Sequence, residues 1–116
     1  MNNKERRQDK RINFVIDVKY HISTYQNWLV AKTENLSSGG ICLLTKDYIP
    51  VGSILDLIFV MPDTSKPIEA SGEIIWNENY SDDEYYLNGI KFLTLKDSDK
   101  ELIGKFVNNA TFDMIK

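Results

Sequence analysis

Apolar and polar positions alternate along most of this chain. Between Phe14 and Ile22, the side chains of Phe14, Ile16, Val18, Tyr20 and Ile22 fall on one side of an extended backbone, and Asp17, Lys19 and His21 fall on the other. A period of two marks a half-buried strand. Trp28 to Glu34 reads as its hairpin partner, after a polar turn near Tyr25 to Asn27. A short strand is expected from Ile41 to Thr45, a turn at Pro50-Val51-Gly52-Ser53, and a strongly apolar, central strand from Ile54 to Val60. Pro62 to Pro67 reads as a loop. Ile68 to Trp76 alternates again, Asn77 to Glu84 reads as an acidic loop, and Tyr85 to Leu95 as the last strand.

The tail changes period. Ser98-Asp99-Lys100-Glu101 has the form of a capping box, with Ser98 as N-cap and Glu101 three residues on. Leu102, Ile103, Phe106, Val107, Ala110 and Met114 recur at three- and four-residue spacing, which predicts an amphipathic helix. Gly104 inside it costs roughly 1 kcal/mol relative to alanine. The stripe needs a surface to cover, most simply one mouth of a barrel. Six or seven short antiparallel strands and one terminal helix predict a mainly all-β fold, a small barrel or a sandwich. Periodicity does not distinguish these two.

Composition narrows the class. A chain of 116 residues, 42% hydrophobic and 27% charged, suits one compact domain. No apolar run approaches the ~20 residues that span a bilayer, so no membrane insertion is expected. The polar N-terminus lacks a signal-peptide core, and the expectation is a cytoplasmic protein. The single Cys42 excludes an internal disulfide and a multi-cysteine zinc site. Charge is unevenly distributed. Residues 1 to 11 carry Lys4, Arg6, Arg7, Lys10 and Arg11 against Glu5 and Asp9, a net of +3; the total is -3, so the remainder nets -6. A cationic arm on an acidic body suits a localised anion site better than a duplex-binding face.

Two short stretches carry the candidate chemistry: Arg6-Arg7-Gln8-Asp9-Lys10-Arg11 and Asn35-Leu36-Ser37-Ser38-Gly39-Gly40. Guanidinium groups pair with phosphate oxygens in bidentate fashion and stack on flat rings. A turn of small polar residues lets a ligand approach the backbone closely. Together they point to a flat, anionic, base-containing ligand. Each motif alone is weak, since basic arms are common and Asn, Ser and Gly are ordinary turn residues. Their order, and the strand pattern between them, say more.

From Glu5 to Leu95 the chain resembles the PilZ domain family. The resemblance rests on an RxxxR stretch (Arg7 and Arg11), a following [D/N]xSxxG (Asn35, Ser37 and Gly40), and Gly89-Ile90-Lys91-Phe92, similar to the family's closing GxxF strand. It implies a PilZ-type β-barrel of six to seven strands over residues 14–95. A flexible basic arm over 1–13 would precede it, and a helix over 96–116 would pack on it, within a single domain. It also implies a bacterial receptor for cyclic di-GMP. Arg7 and Arg11 would meet phosphates or guanine edges, Asn35 and Ser37 would approach from the opposite side, and Gly39 and Gly40 would keep the turn open. Arg6, just before the pair, looks suited to an intercalated ligand dimer, two ligands per chain. Trp76 is a minor candidate for ring stacking, although barrel core or rim is its plainer reading; Trp28 reads as packing or hairpin rim. The ligand would order the arm, and the new surface would meet an unidentified protein partner. With no output domain in the sequence, a stand-alone adaptor is expected.

Other readings remain. A single-strand nucleic-acid barrel of the OB type would need a basic groove with exposed aromatic platforms, and the acidic body makes nucleic acid an unlikely partner. A PilZ-like scaffold acting through protein contacts without ligand is a third possibility. No nucleophile, phosphate-loop or metal-ligand spacing suggests an enzyme, a metal or any cofactor beyond the ligand. His21 has no second histidine to join it, and Asp82-Asp83-Glu84 lacks the spacing of a calcium loop.

Overall fold

The computed structural model describes residues 12–13, 15–22, 27–62, 64–80 and 84–115, with the backbone alone for residues 12, 13, 34 and 109–115. The elements are β1 (Ile12–Asn13), β2 (Asp17–Ile22), β3 (Leu29–Leu36), β4 (Gly40–Thr45), β5 (Ile54–Val60), β6 (Pro67–Tyr80), β7 (Tyr85–Leu95) and α1 (Asp97–Ile115). All strand pairings are antiparallel, in the order β3-β2-β5-β6-β7-β4, and β3 pairs with β4 to close the ring. The fold is therefore a closed six-stranded barrel, with β1 paired beside β3. Closure settles the choice between barrel and sandwich. It leaves no free edge along the ring, which an open sheet would expose.

Alternation builds the core. In β2, Val18 and Tyr20 point inward, and in β5 Leu55, Leu57 and Phe59 do. They meet Leu36, Ile41, Leu43, Ile68, Ile74 and Ile90 from the other strands in one buried cluster. Ile49, in the loop after β4, belongs to the same cluster. So do Ile103 and Val107 of α1, with Leu102 and Phe106 partly buried against it, and α1 also touches β1. The helical stripe thus buries apolar area that would otherwise face water, at about 25 cal/mol per Å².

Three sequence expectations change. The strand expected from Phe14 to Ile22 begins regular pairing at Asp17; Ile12 and Asn13 pair separately as β1, with Asn13 opposite Asn35 and Asp17 opposite Lys32. One extra residue lies between these registers, ahead of Ile16, whose N–H donates to Thr33 Oγ1 (3.0 Å) and whose C=O accepts from Thr33 N–H (3.1 Å). The acidic loop expected from Asn77 is strand as far as Tyr80, paired with Tyr85. Asn77 is held there because its Nδ2 donates to Ile49 C=O at 2.8 Å. Ser98 lies inside the first helical turn, since Lys100 N–H donates to Lys96 C=O (2.9 Å); Asp97 and Asp99 supply the negative charge that suits a helix N-terminus. The strand expected from Ile54 to Val60 is present as β5 between β2 and β6, with Ile54 and Val60 pointing outward because a strand in a single-layered barrel buries only one face.

Candidate functional site

The Asn35-to-Gly40 segment is less of a turn than its composition suggests. Asn35 and Leu36 end β3, Gly40 starts β4, and only Ser37 to Gly39 turn between them. Ser37 N–H donates to Gly40 C=O at 2.9 Å, and Gly39 N–H donates to the Ser37 hydroxyl oxygen at 3.2 Å. Ser37 is fully buried, so its hydroxyl braces the turn from within. Phe92 N–H donates to Gly39 C=O at 3.1 Å, which ties the turn to β7. The Phe92 ring stacks on core Phe59, with centroids 6.5 Å apart. Gly40 is buried in close contact with β7: a Cβ there would collide with the carbonyl oxygen of Ile90. Its lack of a side chain serves the packing of two strands.

A second bulge sets the direction of Asn35. Thr33 pairs with Leu43 and Leu36 with Ile41, both pairs facing the core, yet Asn35 pairs with Cys42. The register shift between Thr33 and Asn35 lets Leu36 point inward and turns Asn35 to the outer face. Asn35 is half-buried there and already has a partner.

From Asn35 a row runs across the outer face. Asn13 of β1 is its neighbour on one side, and Cys42 of β4, Gly89 of β7 and Trp76 of β6 follow on the other. Cys42 lies on the face opposite Ile41 and Leu43 and is nevertheless buried. The indole of Trp76 covers Gly89, occupying the volume that a side chain at that position would take. Trp76 itself is 42% exposed, a rim residue and not a core one. A third bulge, between Ile74 and Trp76, accompanies its placement. The adjacent row joins Gly40, Lys91 and Glu73, and Lys91 is exposed. Beyond the turn, Ser38, Gly39, Phe92, Leu93, Leu95, Asp97 and Lys100 line a shallow pocket of about 170 Å³.

The structure therefore gathers Asn35, Trp76, Gly39 and Gly40 around one outer face, with Ser37 buried beneath the turn. Arg6, Arg7 and Arg11 lie outside the described residues. β1 nevertheless begins one residue after Arg11, and its Ile12 and Asn13 pair with Leu36 and Asn35. The sequence reading missed Lys91, Cys42 and Gly89. Lys91 sits in a recognised segment, but its place beside Gly40 depends on the β4–β7 register. His21 lies elsewhere, beside Trp28 (ring centroids 5.1 Å apart) and with Nδ1 3.4 Å from Asp56 Oδ2. Among the described residues no His/Cys/Asp/Glu group could hold a metal ion, and no helix is long and apolar enough to cross a membrane.

No curated protein matches the chain significantly in sequence. Solved structures do match in fold. One is the inhibitor of motility MotI/DgrA of Bacillus subtilis (TM-score 0.82, 20% identity), of which 52% is covered by 92% of this chain. Another is MrkH of K. pneumonia in its complex with c-di-GMP (TM-score 0.77, 15% identity; 93% of this chain, 53% of that one). The chain spans about half the length of these two proteins. The PilZ domain of YcgR from Escherichia coli, solved with c-di-GMP, matches over 94% of both chains (TM-score 0.72, 14% identity). At such identities the likeness is one of fold. The family model of the PilZ domain matches residues 5–109, and with it the chain belongs to the PilZ domain family, whose members are receptor and adaptor domains and not enzymes.

Proposed function

We propose that this chain is a receptor for cyclic di-GMP, bound on the outer face between Asn35 and Trp76 under an arm carrying Arg6, Arg7 and Arg11. One observation carries the reading: β1, which begins directly after Arg11, pairs with Asn35 and Leu36. The residues that directly follow the first motif in sequence thereby pair with the second, although 23 residues separate the two motifs along the chain. MrkH and the YcgR PilZ domain, both solved with c-di-GMP, support the same ligand class.

The chemistry follows from the residues. A cyclic dinucleotide offers two phosphodiester charges and two guanine rings. Asn35 and Trp76 are three strand spacings apart, about 14 Å along the sheet. Cys42 between them is buried and the Trp76 indole lies over Gly89, so the row presents a low surface on which a flat ligand can lie. Trp76 offers a stacking face at one end and Asn35 an amide at the other. Exposed Lys91, one row away, adds a cation for phosphate. Guanidinium groups from the arm would fork onto phosphates or guanine edges and stack on the bases. Ligand binding then orders the arm, and the ordering entropy spent there lowers affinity relative to a rigid site. The closed arm and its ligand form the surface that an adaptor presents to its protein partner in the cytoplasm.

Calorimetric titration of the chain with cyclic di-GMP at low salt tests the reading, with GMP as control. Saturable heat is expected, with a stoichiometry of two ligands per chain. Saturation at one per chain removes the intercalated dimer and with it the role given to Arg6. No heat with cyclic di-GMP refutes the receptor reading and favours the ligand-free scaffold.

A further inference from the structure

The hairpin formed by the ends of β6 and β7 projects beyond the barrel. β6 has 14 residues against the 7 of its neighbour β5, whose pairing with it ends at Glu73. On the other side, the pairing of β4 with β7 ends at Thr45 and Tyr86. Tyr80 and Tyr85 therefore pair only with each other.

The two faces of this ribbon differ. One is held against the loop after β4: Tyr48 packs edge-on against Tyr86 with centroids 5.6 Å apart, and Asn77 bonds Ile49 C=O. The opposite face carries Trp76, Glu78 and Tyr80 from β6 and Leu87 and Tyr85 from β7. Trp76, Glu78 and Tyr80 are exposed, and Tyr85 and Leu87 are half-buried. Anchoring through the covered face stiffens the bare one. Rigid Trp and Tyr rings lose little conformational entropy on binding and dominate interface energetics.

Charge identifies the occupant. From residue 67 to residue 90 the acidic side chains are Glu69, Glu73, Glu78, Asp82, Asp83 and Glu84, and no Lys, Arg or His occurs. Aromatic rings flanking a carboxylate favour guanidinium over ammonium, because the planar cation stacks on the rings while its N–H groups fork onto the carboxylate. We propose that the outer face of the β6–β7 ribbon, formed by Trp76, Glu78, Tyr80 and Tyr85, docks an arginine-bearing segment of a partner protein. Trp76 borders the face given above to the nucleotide, whereas Glu78, Tyr80 and Tyr85 lie beyond it and stand whether or not a nucleotide binds.

The test is a ¹⁵N NMR titration of the full chain with two synthetic peptides of equal length, one of arginine and one of lysine. Shifts are expected at the Trp76 indole N–H and the amides of Glu78, Tyr80 and Tyr85, with the arginine peptide the tighter binder. Glu78→Gln and Tyr80→Ser should each weaken it about five-fold, the scale of one exposed cation–π or ion-pair contact. Glu69→Gln, an equal loss of charge elsewhere on β6, should change nothing, and the spectrum of each variant reports its fold. Equal binding of both peptides overturns the proposal. So does a spread of shifts over Glu69, Asp97 and Glu101, or the absence of shifts.

Discussion

The five-membered ring of Trp76 occupies the volume that a side chain at Gly89 would need. Gly89→Ala is therefore expected to swing a half-exposed indole into water, which a side chain can do without moving the sheet. The cost to the fold should be modest, about 1 kcal/mol, the low end for overpacking. Ligand affinity should fall if Trp76 is a stacking face. Tryptophan fluorescence in a Trp28→Phe background reads the ring, and calorimetry reads the affinity. Unchanged emission would mean that the ring does not depend on the glycine.

Gly40→Ala meets a harder obstacle. Its Cβ would strike the Ile90 carbonyl oxygen, with the Ile90 carbonyl carbon at 3.4 Å and the Lys91 Cα at 3.5 Å. Backbone inside a closed barrel cannot step aside. A loss of about 2–3 kcal/mol is expected, the upper part of the overpacking range. Urea unfolding should rank this variant well below Gly89→Ala in stability, and the opposite ranking would contradict the packing account.

Arg11→Ala is expected to leave the unfolding midpoint in place and to weaken cyclic di-GMP binding by roughly 10- to 100-fold, the worth of a charge-assisted contact of about 1.5–3 kcal/mol. Arg7→Lys should also weaken it, since an ammonium neither forks nor stacks. Calorimetry on both variants decides, and wild-type affinity in Arg11→Ala removes the arm from the site.

Stability should fall at alkaline pH through Tyr20. Burial raises its phenol above the ordinary value of 10.0, and the nearby Asp47 carboxylate raises it further. The folded chain therefore holds a proton that the unfolded chain releases. This contribution is fully present below about pH 10 and is lost as the pH rises from there through the folded-state value. Urea unfolding of the wild type and Tyr20→Phe at pH 8 and pH 11 should show a smaller alkaline loss in the variant. Equal losses in the two would exclude Tyr20 as the cause.

Much of this architecture was legible in the sequence because strand alternation records which side of each strand meets the core. Val18, Tyr20, Leu55, Leu57, Ile68 and Ile74 all face inward as their spacing indicates. The bulges were not legible. Each is one extra residue whose position depends on a neighbouring strand, as the outward turn of Asn35 depends on Leu36 and Ile41. The extension of β6 through Asn77 was hidden for a similar reason, since Asn and Glu read as loop until Ile49 and Leu87 supply partners. For the site, the NxSxxG stretch and the GxxF strand could be found by motif. Their join, Phe92 N–H to Gly39 C=O, and the place of Lys91 beside Gly40 arise only from inter-strand register.

The separate pairing of β1 has a mechanical consequence. Among the described residues, β1 is held by the pairing of Ile12 and Asn13 with β3 and by contact with α1, whereas β2 is paired on both sides from Val18 to Tyr20. Unpairing β1 thus asks for the rupture of a two-residue ladder. Loss and recovery of that short pairing can proceed as a local event, at a small fraction of the free energy of global unfolding.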